Sequence, residues 1–233
     1  MLLDKCNILH VTKKRTTIDD KYQLKGHTLE TLSSAKYLGV DIHHQLNWDD
    51  HIDRIVKKAN SMLGFVKRNL QVSNIDTKAN AYKTLVRSNL EYCAAIWSPH
   101  TIKATKKIEA VQRRAARFCT NRYRNQSSVT DMLHKLEWDT LENRRVKIQL
   151  TTFYKIVHNL IDVSASDYLI PQNRNTRSNH KYKYQLPSSK TNTYKFSFFP
   201  RTIRSWNNLP ASLAESPTLP SFKQGLSKLK SIP

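Results

Sequence analysis

Two aspartates on one turn can hold a pair of metal ions that stabilise the attacking and leaving oxygens of phosphoryl transfer. The chain has two such pairs, Asp19-Asp20 and Asp49-Asp50. Such a pair is held rigid where apolar strands flank it. Asp19-Asp20 instead follows Lys13-Lys14-Arg15-Thr16-Thr17 and precedes Lys21, and it reads as a surface turn. Asp49-Asp50 stands where helical periodicity begins, and its charge suits the positive end of a helix. Cys93, His100 and Cys119 have no compact ligand spacing and no assigned fourth ligand, so they make no zinc site. A Gly-rich phosphate loop, GxSxG and HExxH are all absent from the sequence. No catalytic or metal-binding residue is assigned.

What the chain does offer is positive charge. Thirty-nine Lys and Arg against 18 Asp and Glu give a formal charge of +21. Such an excess favours a polyanionic partner, because each phosphate neutralised releases condensed counterions. Residues 1–46 carry +2, residues 47–160 carry +11 and residues 161–233 carry +8. The densest set is Lys103, Lys106, Lys107, Arg113, Arg114 and Arg117, off the apolar stripe of one helix, with Arg122 and Arg124 extending it. Cations on a rigid helix position a phosphate backbone without reading bases. A second set, Arg174, Arg177, Lys181 and Lys183, is interleaved with Tyr182, Tyr184 and Tyr194. Rings beside cations suit single strands, where bases stack and Arg tracks phosphate. A merely solvated surface is the competing reading of both sets.

The elements that must carry these groups follow from periodicity. Residues 5–46 read as short strands: Ile8–Val11, then Tyr22–Leu24 and Thr28-Leu29 around a Lys25-Gly26 turn. Tyr37–Ile42 alternates, which places Leu38, Val40 and Ile42 on one face. From Asn47 the period changes, and Ile52, Ile55, Val56, Ala59, Met62, Leu63 and Val66 predict a helix with one buried face. A second helix is predicted from Ile75, capped by Asn74, to Trp97, ending before Pro99. The third spans Thr101–Cys119 and the fourth Val129–Leu136. The fifth starts at Asp139, with Glu142 completing a capping-box-like pair. Residues 171–192 are polar and basic and read as a linker or partner-ordered loop. Helices return at Pro200 or Arg201 and again over Leu219–Leu229. The four tryptophans, Trp48, Trp97, Trp138 and Trp206, sit near helix ends as core anchors.

Five segments occur in a fixed order: Lys36–Ile42 (KYLGVDI), Leu46–Ile52, Asn89–Pro99, Ile108–Phe118 and Phe198–Pro210 (FFPRTIRSWNNLP). Together they resemble the C-terminal third of reverse transcriptases from non-LTR, LINE-like retrotransposons of the jockey and CR1 type. The resemblance implies an α+β, mostly helical chain. Residues 1–46 would be a small antiparallel remnant of the polymerase palm, 47–160 a helical thumb, 161–192 a basic linker and 193–233 a C-terminal strand with helices. It also implies a primer-grip-like hairpin at Lys36, Tyr37, Leu38, Gly39 and Val40. Lys5 would match the palm lysine that protonates departing pyrophosphate. The metal-holding aspartates, and with them Mg²⁺, are expected in an upstream polymerase region, with no cofactor in this chain. The expected partner is nucleic acid: RNA–DNA hybrid, duplex or single strand. An alternative within the same resemblance is a non-enzymatic nucleic-acid-binding or interaction protein derived from such an element.

Three cysteines without a paired framework suit a reducing, intracellular compartment, nuclear or cytoplasmic. No apolar run approaches the roughly 20 residues of a membrane span, and Asp4 and Lys5 interrupt any secretory leader.

Overall fold

The first long element is helix α1, Asp49–Asn69, and its buried stripe is Ile52, Ile55, Ala59, Leu63 and Val66. Each aliphatic side chain so buried contributes roughly 1.5–3 kcal/mol relative to exposure. The computed structural model describes residues 6–12, 14, 20–124, 126–172 and 180–229. Lys5, Asp19, Arg174 and Arg177 lie outside the described residues.

The chain is predominantly helical, with small sheets at its start. Strands β1 (Asn7–Ile8), β2 (Gln23–Leu24), β3 (His27–Thr28), β4 (Glu30–Thr31), β5 (Ser34–Tyr37) and β6 (Val40–His43) form three two-stranded pairs. β2–β3 and β5–β6 are antiparallel, as expected, but β1–β4 is parallel. Pairs this small are marginal alone, and β6 is held by burying Val40 against α1.

The β5–β6 hairpin corrects the predicted face. Tyr37 pairs with Val40, so Leu38-Gly39 is the two-residue turn. Both have positive φ, 45° and 85°, the pattern of a tight hairpin turn whose twist matches its strands. Leu38 therefore points to solvent at 74% exposure while Val40 is buried.

The second predicted helix is broken into four pieces: α2 (Ile75–Ala81), a π-helical turn (Tyr82–Arg87), α3 (Ser88–Glu91) and α4 (Ala94–Trp97). The break is at Cys93, in left-handed conformation at φ 52°. Trp97 donates its indole N–H to the Tyr92 carbonyl at 2.7 Å, satisfying an acceptor that the break exposes. Helix α5, Ile102–Thr120, is capped by Thr101 and closed by left-handed Asn121. α6 covers Val129–Lys135. Helix α7, Leu141–Val157, has its cap one residue later than predicted, because Thr140 caps it while Asp139 pairs with Lys147.

α7 serves two apolar cores. Leu141 belongs to the first, with α1 through α6; Leu150, Phe153, Tyr154 and Ile156 belong to the second. The second core is completed by α9 (Phe198–Asn207), α10 (Ala211–Ala214) and α11 (Leu219–Lys228), with α8 (Asn192–Lys195) leading into α9. The described part of the predicted linker is packed. His180 is buried, the Trp206 indole donates to the Tyr182 carbonyl at 2.7 Å, and Asn207 bonds both backbone groups of Tyr184. Composition hid this because backbone groups and rings, not aliphatic side chains, make the anchor.

Four histidines share one shift. Burial is the leading cause that lowers the imidazole pKa of His51, His100, His158 and His180 below its ordinary 6.5. The unfolded chain then binds more protons than the native one below pH 6.5. Stability is complete above that value and is lost as pH falls from it through the folded pKa values. The urea midpoint should therefore drop between about pH 7.5 and pH 5. His51→Asn, which keeps an acceptor for the Asp41 N–H, should flatten part of that slope. An unchanged midpoint would exclude a stabilising role for these neutral rings.

Candidate nucleic-acid interface

Helices α1 and α5 lie side by side and run parallel. Asp53 pairs with Lys107 at 2.5 Å, and Arg114 donates to Asn60 at 2.7 Å one turn-pair further along both helices. The Lys67 ammonium then stands 6.0 Å from the Phe118 ring. Their solvent faces are consequently continuous. The two helices carry eleven cations against four carboxylates. Three of those carboxylates, Asp49, Asp50 and Asp53, occupy the N-terminal part of α1, and Glu109 is turned inward to accept the Glu142 N–H at 2.7 Å. The remaining face is cationic.

The residues singled out from sequence divide into three groups. Lys103, Lys106 and Arg113 are exposed and Arg117 is half-buried on the outer face of α5. Lys107 and Arg114 sit in the α1–α5 seam, already engaged by Asp53 and Asn60. The Lys107–Asp53 pair is solvent-exposed, so it contributes at most about 1 kcal/mol. Arg122 and Arg124 are exposed beyond the left-handed turn at Asn121, off the helix axis.

Sequence reading missed the other half of the face. Arg54, Lys57, Lys58, Ser61, Met62, Phe65 and Arg68 line a shallow groove of about 580 Å³ along α1. Phe65 is half exposed there among four cations. Burial and then the neighbouring Arg114 lower the Lys67 ammonium below its ordinary pKa, a sign of crowded positive charge at the seam. The signal was available, because these cations fall off the α1 apolar stripe as the α5 set falls off its own. Lys78 is the opposite case. It is buried, with its ammonium 4.9 Å from the Phe118 ring and 3.4 Å from Asn121 Oδ1, so it braces the end of α5.

The hairpin stands at the foot of this groove. Arg54 spans the two, donating to Asp41 Oδ2 at 2.5 Å and to the Gly39 carbonyl at 2.7 Å. Buried His51 accepts the Asp41 N–H at 3.2 Å through Nδ1. Tyr92 donates its hydroxyl to the Leu38 carbonyl at 3.0 Å, and its ring lies where a Cβ on Gly39 would meet it at 3.2 Å. Glycine is thus required for both the turn and the close approach. The tip carbonyls are taken by Arg54 and Tyr92, so the side chains of Lys36, Tyr37 and Leu38 are what the hairpin offers to a ligand.

Of the basic loop, Lys181 and Lys183 are described; the Lys181 ammonium lies 5.0 Å from the Tyr182 ring, and the Lys181 backbone N–H is bonded to Glu215. This set is separate from the α1–α5 face. Among the described residues no cluster of His, Cys, Asp and Glu could hold a metal ion, and no helix is long and apolar enough to cross a membrane. No known family model, curated protein or solved structure matches this chain.

Proposed function

We propose that this chain is the C-terminal part of a non-LTR retrotransposon reverse transcriptase, with residues from Lys36 onward gripping template–primer nucleic acid. The ordered segments that resemble that family support the parentage. The observation that carries the binding role is the parallel pairing of α1 and α5. It turns two cationic helix faces into one surface, with the Lys36–Val40 hairpin at one edge. Cations on rigid helices lose little conformational freedom on binding, which favours phosphate contact over contact by a loose tail. The reaction of the parent enzyme would be RNA-templated DNA synthesis, with its metals held by upstream carboxylates.

Binding to RNA–DNA hybrid and to duplex should show little sequence preference and a steep loss of affinity with salt. Filter binding across a salt series checks this, and a salt-independent affinity would remove the mechanism. The chain alone should show no template-dependent nucleotide incorporation with Mg²⁺ or Mn²⁺, since no Asp-Asp pair stands between apolar strands. Incorporation abolished by Asp19→Ala with Asp20→Ala would show instead that this pair holds the metals. Salt-dependent binding that no hybrid or primer end improves over plain duplex would favour the non-enzymatic alternative.

A further inference from the structure

Between α4, α7 and α9 the fold buries more positive charge than it balances. Arg145 is 1% exposed, and its Nε and Nη1 have no acceptor among the described residues. One turn along the same buried face of α7, Gln149 is 2% exposed and its amide nitrogen is likewise unpartnered. From α9, Arg201 donates Nη1 to the Ser98 carbonyl at 2.6 Å, leaving buried Nε and Nη2 without acceptors. The next residue, Thr202, is buried with an unpartnered hydroxyl. Each such buried donor costs on the order of 1–3 kcal/mol if nothing accepts from it.

The Arg145 guanidinium also acts on that of Arg201. Burial, and after it Arg145, push Arg201 down to about 10. Arg145 has half-buried Glu109 as its leading balancing charge, with Glu142 and Glu91 further contributors. Among the described residues Arg201 has no carboxylate partner. Its other charged neighbour is His100, which burial and then Arg201 keep on the neutral side. Water would accept these N–H groups but would leave the charge of Arg201 uncompensated in a poorly solvated site. An anion answers both needs.

We propose that Arg145, Gln149 and Arg201 together hold a small monovalent anion of the halide class. The uncompensated guanidinium of Arg201 sets its valence, and the burial of the donor atoms favours a small ion. Its bonds join α9 to α7 and, through the Ser98 carbonyl, to the end of α4, so the ion fastens the second core to the first.

The test is thermal unfolding of the full chain in potassium chloride and in potassium gluconate at equal ionic strength, which holds surface screening of the +21 chain constant. At about tenfold excess over its dissociation constant, chloride should raise the melting temperature by roughly 3–6 °C over gluconate. Arg201→Met removes the charge and should abolish the chloride-specific rise. Independently of how that variant folds, chloride-35 line broadening on the unaltered chain gives a second reading: a saturable component that bromide displaces is expected. Equal melting temperatures in the two salts, a chloride rise retained in Arg201→Met, or broadening that never saturates would each overturn the proposal and leave ordered water as the acceptor.

Discussion

Alanine at Lys106, Arg113 and Arg117 together with Lys57, Lys58 and Arg68 should weaken hybrid binding on the order of a thousandfold at low salt. The estimate rests on six phosphate contacts, each contributing about 0.9 to the salt slope, so the slope should fall by about five. These six were chosen because they line the outward face without a carboxylate partner, three on each helix. A matched pair, Lys107→Ala with Arg114→Ala, is the control. Both residues are engaged with Asp53 and Asn60 in the seam, so their loss should cost far less per cation removed. Helix content should survive all the substitutions, because alanine favours helix, and circular dichroism would verify it. Equal losses per cation in the two sets would mean that net charge, and not this face, determines affinity.

Trp206→Ala should destabilise the chain by about 3–5 kcal/mol, measured by urea unfolding. The ring is fully buried, 5.0 Å from Phe153 and 5.8 Å from Phe222 between centroids, tilted against Tyr154 and edge-on to His180. Its indole N–H also anchors the Tyr182 carbonyl. Trp206→Phe separates the two roles. It keeps most of the packing and removes the hydrogen bond, whose net value is about 1 kcal/mol. The phenylalanine variant should also release residues 180–186 to faster proteolysis while the rest stays folded. If alanine costs less than about 1 kcal/mol, the second core does not depend on this tryptophan.

What the sequence revealed tracks what periodicity encodes. α1 and α5 were legible because a one-sided apolar stripe determines a helix and its buried face together. The same logic identified the α5 cations but was not applied to α1, where the basic residues are spread over more of the circumference. The break at Cys93 was not legible. Cysteine carries no turn signal, and the apolar pattern of Leu90, Ala94 and Trp97 runs through it without interruption. Leu38 misled because alternation assumes a continuing strand, and a two-residue turn inverts the side that follows. The anchoring of residues 180–186 depends on the indole of Trp206 and the amide of Asn207, both more than 20 residues away. No local window contains such a partner. The unbalanced charge of Arg201 could not be read from a line of text either, because it arises where α4, α7 and α9 meet.

The parallel arrangement of α1 and α5 also sets an order of events when the chain is made. Parallel neighbours cannot be joined by a short turn, and the seam contacts, Asp53–Lys107 and Asn60–Arg114, each span 54 residues. Closing a loop of that length is slow relative to forming either helix. At about 5–20 residues per second, α1 emerges from the ribosome roughly 3–10 seconds before its neighbour exists. For that interval α1 has only its earlier partners to pack on, β6, the Tyr82–Arg87 turn and α3, and its seam toward α5 stays open to water beside a row of cations. The nascent helix is therefore a substrate for chaperones, or for the polyanion at hand, before the mature surface has formed.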